Sequence, residues 1–163
     1  MHDLTTDMLY AQVHNPATKG PFGSANSLYD RARARGRRHQ LWSRLCGKSL
    51  HLYNLAEVDA LRPAQDRRYG GLQSVPIRQI RGSESRSNDF DRDFCPLQDH
   101  NKGRWLRIAA ARQRGEVLPP VSLIQVGDLY FVRDGHHRIS VARAEGQLDI
   151  EAEVVVWQED RAA

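Results

Sequence analysis

The sequence predicts an α/β (α+β) protein: a small mixed-sheet domain preceded by an N-terminal helical segment. Three observations carry this. Short apolar-alternating runs at 121–126, 129–132 and 150–157 have the period of strands. Runs at 104–114 and 136–145 put Trp105, Ile108, Ala109, Ile139 and Ala142 at helical spacing and stop at Gly115 and Gly146. A stretch with seven basic residues and one acid, from Asp30 to Lys48, has helix formers but almost no apolar stripe in its first half.

In chain order, residues 1–25 read as a lead-in punctuated by His14-Asn15-Pro16 and Gly20-Pro21-Phe22-Gly23-Ser24. Asn26 or Ser27 would cap a helix running to Cys46, with Gly47 as its stop and Gly36 as a weak point. Leu41, Trp42 and Leu45 would be its docking face, and the acids Asp89, Asp91, Asp93 and Asp99 its counter-charges. A short helix after Asn54, with Glu57 in its first turn, ends before Pro63, and 65–71 reads as a polar linker. Residues 74–80 form a strand that Pro76 places at a sheet edge. Residues 82–88 form a serine-rich loop and 89–94 a solvated acidic strand. The helix at 104–114 follows. Gly127-Asp128 joins two strands as a hairpin, and the helix at 136–145 leads into the last strand. Residues 1–70 are thus a basic helical segment, disordered at the start, 72–157 the domain and 158–163 a tail. Ile108, Val132, Ile139, Ala142 and Val154 are the expected core.

The 163 residues carry 24 basic and 20 acidic side chains, 21 of the basic ones arginine. The 30–48 stretch accounts for +6, leaving −2 elsewhere. Arginine pairs bidentately with phosphate, although genomic GC content alone produces the same excess. No apolar run approaches a membrane span and Met1-His2-Asp3-Leu4 does not open a secretion signal, so no membrane partner is expected. Cys46 and Cys95 form no disulfide framework, which suits a cytoplasmic protein, and both are expected to pack.

The chemistry concentrates in Tyr130-Phe131-Val132-Arg133-Asp134-Gly135-His136-His137-Arg138, where a strand turns at a glycine straight into a helix. Unpartnered N–H groups and the helix dipole favour an anion there. Gly135 admits close approach, His136, His137 and Arg138 add donors, and Asp134 caps the helix or orients a histidine. No metal is expected. Adjacent histidines seldom share an ion, and Asp89, Asp91 and Asp93 lack a calcium loop's glycine and closing glutamate, Phe94 and His100 standing in those places. Ser140 has no nucleophile elbow.

Several of these residues resemble the ParB/sulfiredoxin-like family over roughly 72–157. Ser85-Arg86-Ser87-Asn88-Asp89-Phe90-Asp91 is similar to its arginine-bearing Phe-Asp stretch, and Gly115-Glu116-Val117-Leu118-Pro119-Pro120-Val121 to its Gly-to-Pro loop. Gly135-His136-His137-Arg138 stands where the family has Gly-Glu-Arg-Arg. The resemblance implies a nucleotide-binding module for an NTP, CTP or ATP, with Mg2+ as a companion ion. Gly135, His136, His137, Arg138 and Arg86 would hold phosphates, and Pro119 and Pro120 would shape the base side. His136 replaces both the family's glutamate and the sulfiredoxin cysteine, so sulfinic-acid repair is not expected. The helix-turn-helix domain of partitioning proteins is not expected beyond Ala163 either.

Two alternatives stand beside this reading. One is a phosphotransferase or NTPase of the same fold, with His136 or His137 as acid-base group and Glu84, Asp89 or Asp134 as base. The other is a DNA-associated protein that sets Arg31, Arg35 and Arg38 on phosphates. A homodimer is a further expected partner arrangement.

Overall fold

A computed structural model of the chain describes residues 20–61, 66–85 and 88–158. In chain order it comprises α1 (Pro21–Cys46), β1 (Tyr53–Asn54), α2 (Leu55–Leu61), β2 (Asp66–Pro76), a 3-10 turn (Ile77–Gln79) and β3 (Ile80–Ser83). Then come α3 (Lys102–Gln113), β4 (Val121–Val126), β5 (Leu129–Asp134), α4 (His136–Ala144) and β6 (Asp149–Gln158). The strands form one mixed sheet in the order β1-β3-β5-β4-β6-β2. β1 with β3, β3 with β5 and β4 with β6 run parallel; β4 with β5 and β6 with β2 run antiparallel.

The strand period sorts the core onto two faces. Ile80, Leu123, Tyr130, Val132, Ala152 and Val154 point to the side where Ile139 and Ala142 of α4 lie. Phe131, Ile124, Val126 and Trp157 point to the other side, against Leu55 and Val58 of α2. A third cluster joins the helices, with Ala25, Leu28 and Tyr29 of α1 against Trp105, Ala109 and Ala110 of α3 and Val141 of α4. Tyr29 meets Trp105 edge-on at 5.3 Å, and the Trp105 indole N–H donates to Ser140 Oγ at 2.9 Å. Of the expected core, Ile139, Ala142, Val132 and Val154 are fully buried, while Ile108 is half-buried.

Several expectations are corrected. α1 begins at Pro21, not after Asn26 or Ser27: Gly20 is the N-cap and the proline sits in the first turn, where its missing N–H costs nothing. Gly36 is no weak point. It is buried, and a Cβ there would stand 2.8 Å from the Pro96 carbonyl oxygen. The docking face of α1 is Ala25, Leu28, Tyr29 and Gly36, whereas Leu41, Trp42 and Leu45 are 62%, 68% and 74% exposed because this end of the helix runs past the body it packs on. Cys46 is exposed as well. The stretch read as a linker from 65 to 71 is, from Asp66 onward, edge strand, so the sheet reaches back beyond residue 72. Pro76 is on that edge strand, as its chemistry requires.

The acidic run 89–94 is not a solvated strand. It is a turn fixed by isolated bridges, His51 with Asp91 and Phe90 with Pro96. Asp91 has no exposed surface at all. Its carboxylate accepts from His39 Nδ1 at 2.7 Å and from the N–H groups of Asp93 and Cys95 at 2.9 and 2.8 Å. Counter-charging of α1 is partial: Arg33 pairs with Asp99 at 2.9 Å and His39 with Asp91.

Candidate functional site

β5 ends at Asp134, Gly135 turns the chain at φ +104°, and α4 starts at His136 with no residue to spare. The N–H groups of the first α4 turn lie beyond the reach of intrahelical acceptors and give this mouth a positive potential. A polar cleft of about 210 Å3 opens at that point. It is lined by Gly135, His136, His137 and Arg138, by Arg133 and Asp134 at the end of β5, and by Ser85, Arg104 and Ile108.

The lining side chains differ in how free they are. Arg138 is largely committed: Nη1 donates to the carbonyls of Pro119 and Pro120 at 2.5 and 2.9 Å, and Nη2 pairs with Asp134 at 2.5 Å. Pro119 and Pro120 therefore enter through their carbonyls, as the anchor of Arg138. His136 and His137 are both buried. His136 Nε2 is hydrogen-bonded to Ser83 Oγ at 2.7 Å and its ring stacks on Phe90, while His137 meets Phe90 edge-on at 5.3 Å. Gly135 makes its close approach to protein: a Cβ would fall 2.5 Å from Val121 Cγ1.

Arg104 and Arg133 bring the cationic charge that the sequence reading missed. Arg133 pairs with Glu84 at 3.4 Å. Arg104 is exposed and has no acidic partner among the described residues. Arg133 falls inside the 130–138 stretch without a donor role of its own there, and no local pattern marks Arg104. Arg104 is the third residue of α3 and Arg133 the last but one of β5, and the fold sets them together.

The remaining candidates lie elsewhere. Glu84 faces Arg133 and does not line the cleft. Asp89 accepts from Asn101 Nδ2 at 3.2 Å, beside His100, also away from the cleft. Arg86 lies outside the described residues, as does the lead-in 1–19. Arg31, Arg35 and Arg38 line a different concavity, between α1 and α4.

One group of potential metal ligands exists among the described residues. His39, Asp91 and Cys95 each offer an atom within 4.8 Å of the others. The donors already on Asp91 use both its oxygens, and burial, then the Asp91 charge, pushes the Cys95 thiol up from about 9 to about 12. An ion would have to displace these bonds and strip a proton from a thiol held neutral. Burial, followed by Asp99, likewise raises the Tyr29 hydroxyl to about 12.

Both shifts have a pH consequence. A folded-state pKa above the unfolded one stabilises the fold while the group stays protonated. That stability is whole below about pH 9 and is lost as pH climbs towards 12. The unfolding midpoint should therefore hold up to about pH 9 and then decline, and Cys95→Ser should shallow the decline. A thiol reagent at pH 8 should label Cys46 at once and Cys95 only after denaturant is added.

No family model and no curated protein sequence matches the chain. Among solved structures, the sulfiredoxin from Arabidopsis thaliana is similar at a TM-score of 0.36 and 23% identity, over 51% of this chain and 82% of that one. At that score the likeness is too shallow to position a ligand or a catalytic group. Among the described residues no helix is long and apolar enough to cross a membrane.

Proposed function

We propose that the protein is a nucleotide-binding module that holds the phosphates of a nucleoside triphosphate at the mouth between β5 and α4. The observation that carries this is the coincidence, in one polar cleft, of a helix start, a glycine turn and the guanidinium of Arg104, which has no acidic partner among the described residues. Anions are drawn to such a place by backbone donors and dipole together, and an exposed arginine completes the set. At about 210 Å3 the cleft takes a phosphate chain and not a whole nucleotide, since clefts that enclose a drug-sized ligand run to roughly 300 Å3 or more. The nucleoside would lie along the rim, and Mg2+ would accompany the phosphates.

Nothing favours turnover over binding. Of the proposed bases, Glu84 and Asp134 are each tied to an arginine and Asp89 lies away from the cleft, and both histidines are packed against Phe90.

The test is calorimetric titration with CTP, ATP, GTP and UTP in the presence of Mg2+. We expect saturable binding of at least one triphosphate. Arg104→Ala should weaken it by about tenfold or more, the scale of one hydrogen bond to a charged group, with the thermal midpoint unchanged. Absence of binding by all four, or an Arg104→Ala affinity equal to the parent's, would remove the reading. Arg138→Ala should lower the thermal midpoint too, because it frees the 119–120 segment.

A further inference from the structure

A second and larger concavity, about 440 Å3, lies further along α4, where Ser140, Arg143 and Ala144 line it. Its other walls are α1 and the segment Asp93-Phe94-Cys95. From α1 come Arg31, Arg35 and Arg38, whose spacing of four and three residues puts them on one helical face. All three are exposed, and none has an acidic partner among the described residues. Arg33, on another face of the same helix, is paired with Asp99. Across the cleft, Asp93 holds Arg143 in place at 2.5 Å. Among the described residues, four guanidinium groups therefore surround a space that contains one carboxylate.

Like charges one helical turn apart repel, so this face costs the helix stability while the cleft is empty, and an anion inside it would reverse the sign. Leu28, Ala32, Phe94 and Ala144 give the same cleft an apolar floor. A DNA duplex is far wider than a hollow of this size and would touch only its rim. Here the charges line a hollow with a greasy base, in the size range of small-molecule sites.

We propose that this cleft is a binding site for a small phosphate monoester with an aromatic or aliphatic body, separate from the mouth of α4. Arg31, Arg35, Arg38 and Arg143 take the phosphate, and Phe94, Leu28 and the alanines take the body.

The experiment titrates the full chain with 1-naphthyl phosphate, with inorganic phosphate and 1-naphthol as its two halves, and follows the heat of binding. We expect 1-naphthyl phosphate to bind at least tenfold more tightly than either half. Arg35→Ala and Arg38→Ala should each weaken it about tenfold or more. Ala34→Phe, which fills the cleft at constant charge, should abolish it, and Arg104→Ala at the other cleft should leave it unchanged. Thermal unfolding of each variant checks that these surface changes keep the fold. The proposal is overturned if the probe does not bind, if it binds all variants equally, or if inorganic phosphate binds as tightly. It is equally overturned if a short DNA duplex, not the probe, loses affinity when Arg31, Arg35 and Arg38 are removed, since the arginines would then serve a nucleic acid.

Discussion

Asp91→Ala should unfold at a urea concentration well below the parent's, with about 3–5 kcal/mol lost, the range for removing one partner from a buried charged network. The carboxylate is fully enclosed and is the acceptor for the His39 ring and for the N–H groups of Asp93 and Cys95. Alanine strands all of these donors. It also cuts the tie between the middle of α1 and the loop beneath it, so the loss is not confined to one turn. Asp91→Asn keeps a carbonyl oxygen for the backbone donors and should recover about half of the deficit. A midpoint for Asp91→Ala within a few tenths of molar urea of the parent would show that the network is ornamental.

Gly82→Ala should be nearly as damaging, at about 3 kcal/mol, the upper part of the range for overpacking a filled core. Gly82 lies beside Phe131 in the neighbouring parallel strand, and the phenyl ring lies across the glycine. A Cβ at Gly82 would stand 2.1 and 2.3 Å from two ring carbons. The ring cannot swing aside, because Leu55, Ile124 and Trp157 hold it. Adding Phe131→Leu to Gly82→Ala should therefore restore stability relative to the sum of the two single changes, a coupling read from a double-mutant cycle. Additive costs would mean that the clash is relieved some other way. The next residue, Ser83, is bonded to His136, so the same substitution should also disturb the mouth of α4.

The parts of the fold visible in the sequence are those with a strong local period. The hairpin about Gly127-Asp128, the helix that stops at Gly146 and the alternation of 150–157 all form where their patterns say. The misread parts have patterns that only distant partners explain. Asp66 to Gly71 looks like linker because an edge strand with one wet face tolerates charge, and its pairing with β6 is invisible locally. Gly36 and Asp91 look like a flaw and a surface acid until α1 lies on the 93–97 segment. Trp42 looks like core because size and spacing are all that sequence offers. The mouth at Gly135 was legible for the same local reason as α4 itself. Arg104 was not, because α3 reaches the cleft only through tertiary packing.

The sheet order also sets a timetable. β1 and β2, consecutive in the chain, form its two opposite edges, and every strand between them is made later. Among the described residues β2 pairs only with β6, the last of these strands. At roughly 5–20 residues per second, ribosomal synthesis leaves β2 without its mate for on the order of several seconds. In that interval it is an open strand with every backbone donor and acceptor available to a stranger. Asp66, Arg67 and Arg68 charge one end, the register breaks between Tyr69 and Gly71, and Pro76 closes the other end. Charge, bulge and proline each hinder intermolecular pairing. The polar look of this segment is what a strand needs if it must wait for its partner without aggregating.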